Sequence, residues 1–346
     1  AVKAADGYAG ERLVDGLEFD YERPGEKPDG RWREKAERER MLTRVAQDAE
    51  RALEAVERAG GLLDDELVKA AQALLRELIG QDFEIDQDGV PRLYRGTRSD
   101  RIISTVDPEM RHGRKSSQSR FDGYKLSAAA SNDSEPLILA VHVTPAGEQD
   151  GPQAKHLIDS QPPAQRPERI LGDTAYGNGP VRAELAERGV EVLAPVPDGA
   201  VVAGRIGKRD FDIDLDADTI TCPAGHTVRV NTSKTGFRGA NFVTAMCRDC
   251  PLKPRCCPGK SRRYIRLQDH EQLLQAGRRA LADPATAEHL RRGRPRIERL
   301  LGLLAQRYGA RKSRYIGSAK ARLQAVWAAA LVNLNPIGHK LALQSA

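Results

Sequence analysis

Two acidic residues and one arginine stand in local patterns suited to phosphoryl chemistry. Asp173 follows an apolar, strand-like stretch within RILGDTAYG, so a buried strand is expected to deliver its carboxylate into a glycine-containing turn. Arg294 and Glu298 are four residues apart, a spacing that places two side chains on one face of a helix. Carboxylates beside a cation could hold a divalent metal next to a phosphate. The alternative for Asp173 alone is a turn-forming or helix-capping role.

All five cysteines lie between positions 222 and 257. Cys247 and Cys250 form a C-x-x-C pair, Cys256 comes shortly after them, and Cys222 begins a C-P-x-G-H turn. Four thiolates at this spacing can close a tetrahedral zinc site of structural type, and the predicted Zn²⁺ ligands are these four cysteines. Two alternatives stay open. Cys257 could replace Cys256 as a ligand, or the segment could carry reduced thiols without a metal.

The charge balance favours a polyanionic partner such as nucleic acid. Lys and Arg number 55 against 49 Asp and Glu, which gives a net charge of +6. The predicted DNA-binding residues are Arg111, Arg114, Lys115, Lys253, Arg255, Arg262 and Arg263. Cations on a rigid cysteine-rich segment suit contact with a DNA backbone. The alternative for the segment RHGRKS is a solvated basic turn.

The length and the hydropathy pattern bound the class of protein. A chain of 346 residues can form two domains, or one large domain with an insertion. It has no apolar stretch of about 18 residues and no cationic-then-apolar leader at its start, which excludes a membrane-spanning segment. We therefore expect a cytoplasmic protein with no membrane partner.

The candidate residues need a mixed sheet and helices to position them. Residues 31–80 predict two amphipathic helices broken at Gly60 and Gly61. From 121 to 197 the predicted order is strand, strand, helix, strand, helix, strand, which indicates an α/β fold. The predicted regions are an accessory helical hairpin at 1–90, a first part of the core at 91–199, a cysteine-rich, zinc-ribbon-like basic insertion of loops at 200–268, and C-terminal helices that complete the core at 269–346.

Several motifs in order resemble the DDE transposases of bacterial insertion sequences, in the subgroup with a Y-R-E-K-type signature. They are STVDPEMRHGRKS, FDGYKLSAA, RILGDTAYG, the pair CPAGH and CRDC, and RPRIERLLGLLAQRYGARKSRYIG. The resemblance covers about residues 100 to 336. It implies an RNase H-like core in which three carboxylates bind two Mg²⁺ ions, or Mn²⁺ in their place. The second acid then corresponds to Asp173 and the third to Glu298, with Arg294 orienting Glu298 or touching the phosphate.

The resemblance also implies an activity and partners. The expected reaction is metal-dependent cleavage and transfer of DNA strands, with double-stranded DNA of the element ends and the target as substrates. Pairing of two ends implies a homo-oligomer on DNA. One alternative is a non-catalytic DNA-binding remnant, and another is an RNase H-like nuclease that hydrolyses without joining ends.

Two signature positions differ from the family pattern. Arg291 stands where the signature Tyr is expected, and Ala305 stands where the Lys is expected. Arg307 or Lys312 could supply the missing cation.

The first catalytic acid of the family has no obvious counterpart. Either the chain begins just after the strand that carries this acid, which we favour because the sequence starts with Ala, or Asp107 or Asp122 takes the role. Asp107 is better suited to begin an Asp-Pro turn.

Overall fold

The structure, a computed structural model, describes residues 16–19, 21, 34–58, 65–87, 89–96, 98, 100–116, 118–197, 203–233 and 236–344. It divides into two compact units. The first comprises residues 1–123 and 145–147, and the second comprises 124–144 and 148–346.

The first unit begins with a pair of helices. Its elements are α1 (Lys35–Arg58), α2 (Glu66–Asp82), β1 (Phe83–Ile85), β2 (Pro91–Leu93), β3 (Arg111–Arg114) and the start of β4 (Arg120–Ala130). Asp65 caps α2 by accepting a hydrogen bond from Leu67 N at 2.7 Å, which satisfies an otherwise free helical donor. The two predicted helices are confirmed, whereas the predicted break at Gly60 and Gly61 lies outside the described residues. Strands β1 and β2 pair antiparallel after the second helix.

The interpretation of RHGRKS as a basic turn is wrong in part, because Arg111–Arg114 form strand β3. This strand pairs antiparallel with the start of β4, with His112 opposite Asp122. The segment is short and rich in charge, so it carries no apolar alternation that would have identified a strand. A glycine is required within it, because a Cβ at Gly113 would lie 2.6 Å from the ring of Phe121.

The second unit holds the strands that carry the candidate acid. Its first elements are the rest of β4, β5 (Ile138–Pro145), α3 (Ala154–Asp159), β6 (Arg169–Leu171), α4 (Gly179–Ala186) and β7 (Glu191–Leu193). Strands β4 and β5 are neighbours in one sheet, and β6 and β7 form a separate parallel pair joined through α4. The mixed α/β class is confirmed, with the strands divided among several small sheets instead of one.

Two apolar clusters fix these elements. One joins α3 and α4 to β7, through buried Ile158, Val181, Leu185 and Val192. The other packs the C-terminal helices on the β4–β5 pair. Its buried members include Ile138, Leu300, Leu304 and Val332. Burial of such side chains contributes about 1.5–3 kcal/mol each, which is why these helices lie on the strands.

Residues 203–268 form a small β-rich body with its own core. The predicted loops are wrong here. The elements are β8 (Asp212–Asp214), β9 (Thr219–Thr221), β10 (Thr227–Arg229), β11 (Asn231–Thr232), β12 (Arg238–Phe242), α5 (Thr244–Cys247), α6 (Lys253–Cys256) and β13 (Arg263–Arg266). Strands of two to five residues are too short to give a periodic signal. The core comprises Phe211, Ile220, Phe242 and Ile265, together with two cysteines.

Three helices follow in the described part of the second unit. They are α7 (Glu271–Ala282), α8 (Pro284–Gln306) and α9 (Ser318–Gln344). Asp283 caps α8 through a bond from Thr286 N at 2.9 Å. Within the described ranges, no helix combines the length and the apolar character needed to cross a membrane.

Candidate functional site

Asp173 lies in a hydrogen-bonded turn directly after β6. Gly172 N still pairs with Leu193 O at 3.1 Å, so the turn begins where the β6–β7 ladder ends. The Asp173 carboxylate accepts a bond from Ala175 N at 2.9 Å, and its carbonyl accepts one from Tyr176 N at 3.1 Å. Asp173 is exposed. It therefore serves as the turn former that sequence alone allowed, and it also presents a carboxylate to solvent.

Tyr176 packs over this turn. A Cβ at Gly172 would lie 2.9 Å from Tyr176 Cβ, which explains the glycine before the acid. Burial, followed by the charges of Asp150 and Asp173, raises the pKa of Tyr176 to about 12. The phenol is therefore neutral at physiological pH.

Asp150 is an acid near the turn that sequence reasoning did not single out. Its carboxylate pairs with Lys125 Nζ at 3.1 Å, and its charge contributes to the raised pKa of Tyr176. The backbone of the next residue adjoins the turn, since a Cβ at Gly151 would lie 2.4 Å from Ala175 O. The only local signal was a Gly-Pro turn after β5, which does not reveal the contact.

A buried arginine holds the turn in place. The Arg182 guanidinium donates to the carbonyl oxygens of Gly177, Val192 and Ala194 at 2.9, 2.7 and 2.6 Å. Burial lowers the pKa of Arg182 from its ordinary value. Helix α7 approaches closely, because a Cβ at Gly277 would lie 2.6 Å from the guanidinium carbon. The strand ends around Asp173 are thus fixed by protein groups alone.

Arg294 and Glu298 lie on α8, as their spacing predicts. Arg294 Nη2 donates to Glu298 Oε1 at 3.4 Å, and both side chains are exposed, at 41% and 62%. Helix α8 lies directly against β6, because a Cβ at Gly293 would be 2.3 Å from Leu171 Cδ1. The structure thus places the element that carries Glu298 on the strand that leads to Asp173.

The two proposed substitutes for the first acid belong to the first unit. Asp107 is 5% exposed, and its carbonyl accepts a bond from Met110 N at 3.1 Å, which confirms the Asp-Pro turn. Asp122 Oδ1 lies 2.6 Å from His112 Nδ1 across the β3–β4 pair. Asp122 and His112 also line an open cavity of about 330 Å³ with Arg101. No sequence pattern indicates this cavity, because its walls come from separate elements.

The basic residues in and just after β3 differ in their hydrogen bonding and in the exposure of their side chains. Arg111 Nη1 donates to Met110 O at 2.8 Å and also to Pro108 O, so this guanidinium is engaged by the turn that precedes it. Arg114 and Lys115 are exposed. These two side chains can reach a phosphate backbone from their present positions.

The five cysteines surround one small cavity. Its volume is about 20 Å³, and Phe242 and Met246 provide apolar parts of its wall. Cys222 N pairs with His226 O at 2.8 Å across a tight turn, in which Gly225 takes a φ of +85° that favours glycine. Cys247 and Cys257 are buried. The four predicted zinc ligands, their alternative Cys257 and His226 therefore face a common space.

Burial raises the pKa of two thiols that line this cavity. It raises the pKa of Cys256 to about 11, with the neighbouring thiols Cys257 and Cys247 adding to the shift against the opposing charge of Arg263. Burial likewise raises the pKa of Cys247. Across the described part of the chain, no three His, Cys, Asp or Glu side chains are arranged to hold a metal ion, here or beside Asp173.

Two of the four cations predicted for DNA contact in the cysteine-rich segment have internal partners. Arg255 Nε donates to Gly204 O at 3.0 Å. Arg263 donates to Cys256 O at 3.1 Å and lies 5.9 Å from the Phe211 ring centre. Lys253 lines the cysteine cavity, and Arg262 is exposed.

Comparison with known proteins identifies the family. Residues 61–334 match the transposase DDE domain family, and the chain belongs to that family. The chain has no significant match among curated proteins or solved structures.

Proposed function

We propose that this transposase DDE domain protein catalyses metal-dependent DNA strand cleavage and the transfer of an insertion sequence. The packing of α8 on β6 through Gly293 and Leu171 carries the proposal, because it brings the helix of Glu298 to the strand of Asp173. Both carboxylates are exposed, so a DNA phosphate can approach them.

Asp173 and Glu298 would hold Mg²⁺ or Mn²⁺. Exposed carboxylate oxygens are the ligands that these hard cations prefer. When bound, such ions polarise the scissile phosphate, activate water or a 3′-hydroxyl and stabilise the leaving oxygen. Asp173 is held by its turn, and Arg294 orients Glu298 through one carboxylate oxygen, which leaves the other oxygen for a ligand.

The architecture supports an RNase H-like core as a proposal. The β4–β5 and β6–β7 pairs would be its two parts, with α8 on the side of the acids. The substrates would be double-stranded DNA of the element ends and the target. A homo-oligomer would bring two such ends together.

A structural Zn²⁺ in the cysteine-rich segment is part of the proposal. Cys222, Cys247, Cys250 and Cys256 line one cavity, which is large enough for about one water-sized sphere. These four cysteines would hold the ion as thiolates, and the bound ion would stabilise the fold of the segment. Metal analysis of protein purified under reducing conditions tests this. We expect one zinc per chain, lost in Cys250→Ser and kept in Cys257→Ser, and wild-type protein without zinc would contradict it.

The second candidate is a DNA-binding remnant without catalysis. It is favoured by the lack of a three-acid group beside Asp173 among the described residues. It predicts DNA binding that weakens strongly with salt and no strand cleavage.

Mn²⁺-supported nicking and strand joining on plasmid DNA separates the candidates. Wild type is compared with Glu298→Ala and with Glu288→Ala. Glu288 is a partly exposed glutamate on the same helix, and it pairs with Arg291 and Arg292. We expect activity in wild type and in Glu288→Ala and its loss in Glu298→Ala. Nicking without joining indicates a nuclease, and DNA binding without nicking indicates the remnant.

A further inference from the structure

The C-terminal 48 residues of the chain carry a net positive charge. From Arg299 to Ala346 the sequence has eight Lys and Arg and no Asp or Glu. This stretch alone has a charge of +8, which exceeds the +6 of the whole chain. The rest of the protein is therefore slightly acidic, and its positive field comes from this end.

The cations concentrate where α8 passes into α9. We name residues 307–316 the α8–α9 segment. Arg311, Lys312 and Arg314 are exposed in it, and Tyr315 beside them is 53% exposed. Among the described residues, none forms an ion pair with the following cations of this region: Arg307, Arg311, Lys312, Arg314, Lys320 and Arg322. Like charges this close destabilise a folded surface unless a polyanion compensates them.

A single glutamine of α9 fixes the segment. Gln324 Nε2 donates to Gly309 O and Lys312 O, both at 2.8 Å, and Gln324 Oε1 accepts from Arg314 N at 2.9 Å. Gly309 takes a φ of +76°, and Ser313 Oγ donates to Tyr315 O at 2.7 Å. The backbone is therefore held before any ligand arrives, which reduces the entropy lost on binding.

One cation of this region, Arg322, contributes to the shifted pKa of a histidine in the second unit. Burial lowers the pKa of His142, and the neighbouring His156 and the Arg322 guanidinium lower it further. His142 and His156 stack with their ring centres 4.5 Å apart. The His142 imidazole therefore adds no positive charge to this region near pH 7.

We propose that the α8–α9 segment, preorganised by Gln324, is a docking surface for the phosphate backbone of double-stranded DNA. Arg311, Lys312 and Arg314 contact phosphates, and Tyr315 packs against the exposed sugars beside them. The inference rests on the proposed function, because α8 carries Glu298 and leads straight into the segment. From Glu298 to the end of α8 is about 12 Å, a length that spans about seven phosphate charges of a duplex.

Fluorescence anisotropy with a labelled 30-base-pair duplex in EDTA tests binding without catalysis. The variant Arg311→Ala/Lys312→Ala/Arg314→Ala should bind at least about 10-fold more weakly near 50 mM salt. The slope of log K against log salt should become shallower by about 2–3, because each lost phosphate contact removes about 0.9. A variant with wild-type affinity and slope would overturn the proposal.

The matched control removes the same charge elsewhere. Lys35→Ala/Arg40→Ala/Lys69→Ala deletes three exposed cations that each neighbour a glutamate on their own helix. Its salt slope should stay within about 0.5 of wild type. An equal loss of slope in the control would show a net-charge effect and overturn the assignment.

A neutral variant isolates the preorganisation. Gln324→Leu keeps every cation, so it should weaken binding by about 3- to 10-fold while the salt slope stays unchanged. Unchanged affinity in Gln324→Leu would contradict the role of Gln324.

Two further comparisons complete the test. One compares DNA with other anionic ligands, and the other distinguishes failure of this surface from failure of the proposed function. Preference of the segment for an RNA duplex, or for phosphatidylserine vesicles, over DNA would overturn the choice of DNA. Nicking by wild type with full binding by the triple variant would refute this surface and leave the proposed function standing. Loss of binding in the triple variant, together with no nicking by wild type, would support this surface and contradict the proposed function.

Discussion

The cysteine-rich segment and the acid pair were both predicted as metal sites from side-chain type and spacing. In the structure they differ in burial and in how closely their side chains are grouped. All five cysteines of the segment line one cavity. Asp173 and Glu298 lie on adjoining elements, each exposed and each bonded to a local partner. Folding brings the cysteines to one cavity. It places the two acids only on elements that lie against each other.

The chemistry of the two groups explains this difference. A protonated thiol is a small apolar group that can be buried without a partner. A carboxylate loses hydration on burial and repels a second carboxylate, so it stays in water until a cation arrives. A thiol site can therefore form with the apolar core, whereas a carboxylate site is expected to close only with metal and DNA.

Removal of the zinc that we propose is expected to have the largest effect. A chelator under reducing conditions should destabilise the cysteine-rich segment by on the order of 10 kcal/mol, because structural zinc contributes directly to folding. Hydrogen exchange of β12 and β13 should accelerate, while exchange of β6 and β7 stays unchanged. Equal exchange in both regions before and after chelation would contradict a structural role for zinc.

Arg182→Met should have the next largest effect, on the acid side of the comparison. It leaves the carbonyl oxygens of Gly177, Val192 and Ala194 without their buried donor, so the free energy of unfolding should fall by about 3 kcal/mol. Urea denaturation measures the loss. The control is Arg188→Met, which removes the surface ion pair with Asp159 and should change stability by less than about 1 kcal/mol.

Glu271→Gln tests the buried carboxylate that joins Lys208 to α7. Glu271 is 5% exposed. Its burial alone would raise its pKa, but hydrogen bonds from Lys208 and Gln268 N outweigh this and lower the pKa below its ordinary 4.5. The variant should lose about 2 kcal/mol at pH 7.

The pH dependence of this loss has a definite sign. A carboxylate whose pKa is lowered by folding stabilises the protein above its ordinary pKa and loses that contribution as pH falls through the folded value. Denaturation at pH 7 and pH 3 should therefore show the gap between wild type and Glu271→Gln shrinking at pH 3. A gap independent of pH would mean that the carboxylate is not the stabilising group.

The sequence predicted the elements with long periodic patterns and missed those defined by contacts. The helices of the first unit and the β6–α4–β7 crossover follow from apolar spacing alone. The strands of the cysteine-rich segment are too short for such a pattern. Arg182 was missed because a buried arginine that binds carbonyls is indistinguishable in sequence from a surface cation.

In the candidate site, too, a local contact was predicted from the sequence and nonlocal contacts were not. The i,i+4 spacing of Arg294 and Glu298 predicted their helical pairing, since that contact is local. The contact of Gly293 with Leu171 joins positions far apart in the chain, and only the folded structure reveals it. The association of Asp150 with the Asp173 turn is another such nonlocal contact.

The smallest effect is expected at the acid pair itself. Arg294→Ala and Glu298→Ala break an exposed pair on one helix, so each should change the free energy of unfolding by less than about 0.5 kcal/mol. Thermal and urea denaturation without metal measure this, with Glu288→Ala as the matched control. A carboxylate that contributes nothing to folding yet is needed for nicking would be retained for chemistry alone. Destabilisation by more than about 1 kcal/mol would instead assign Glu298 a structural role and remove the contrast with the cysteine cavity.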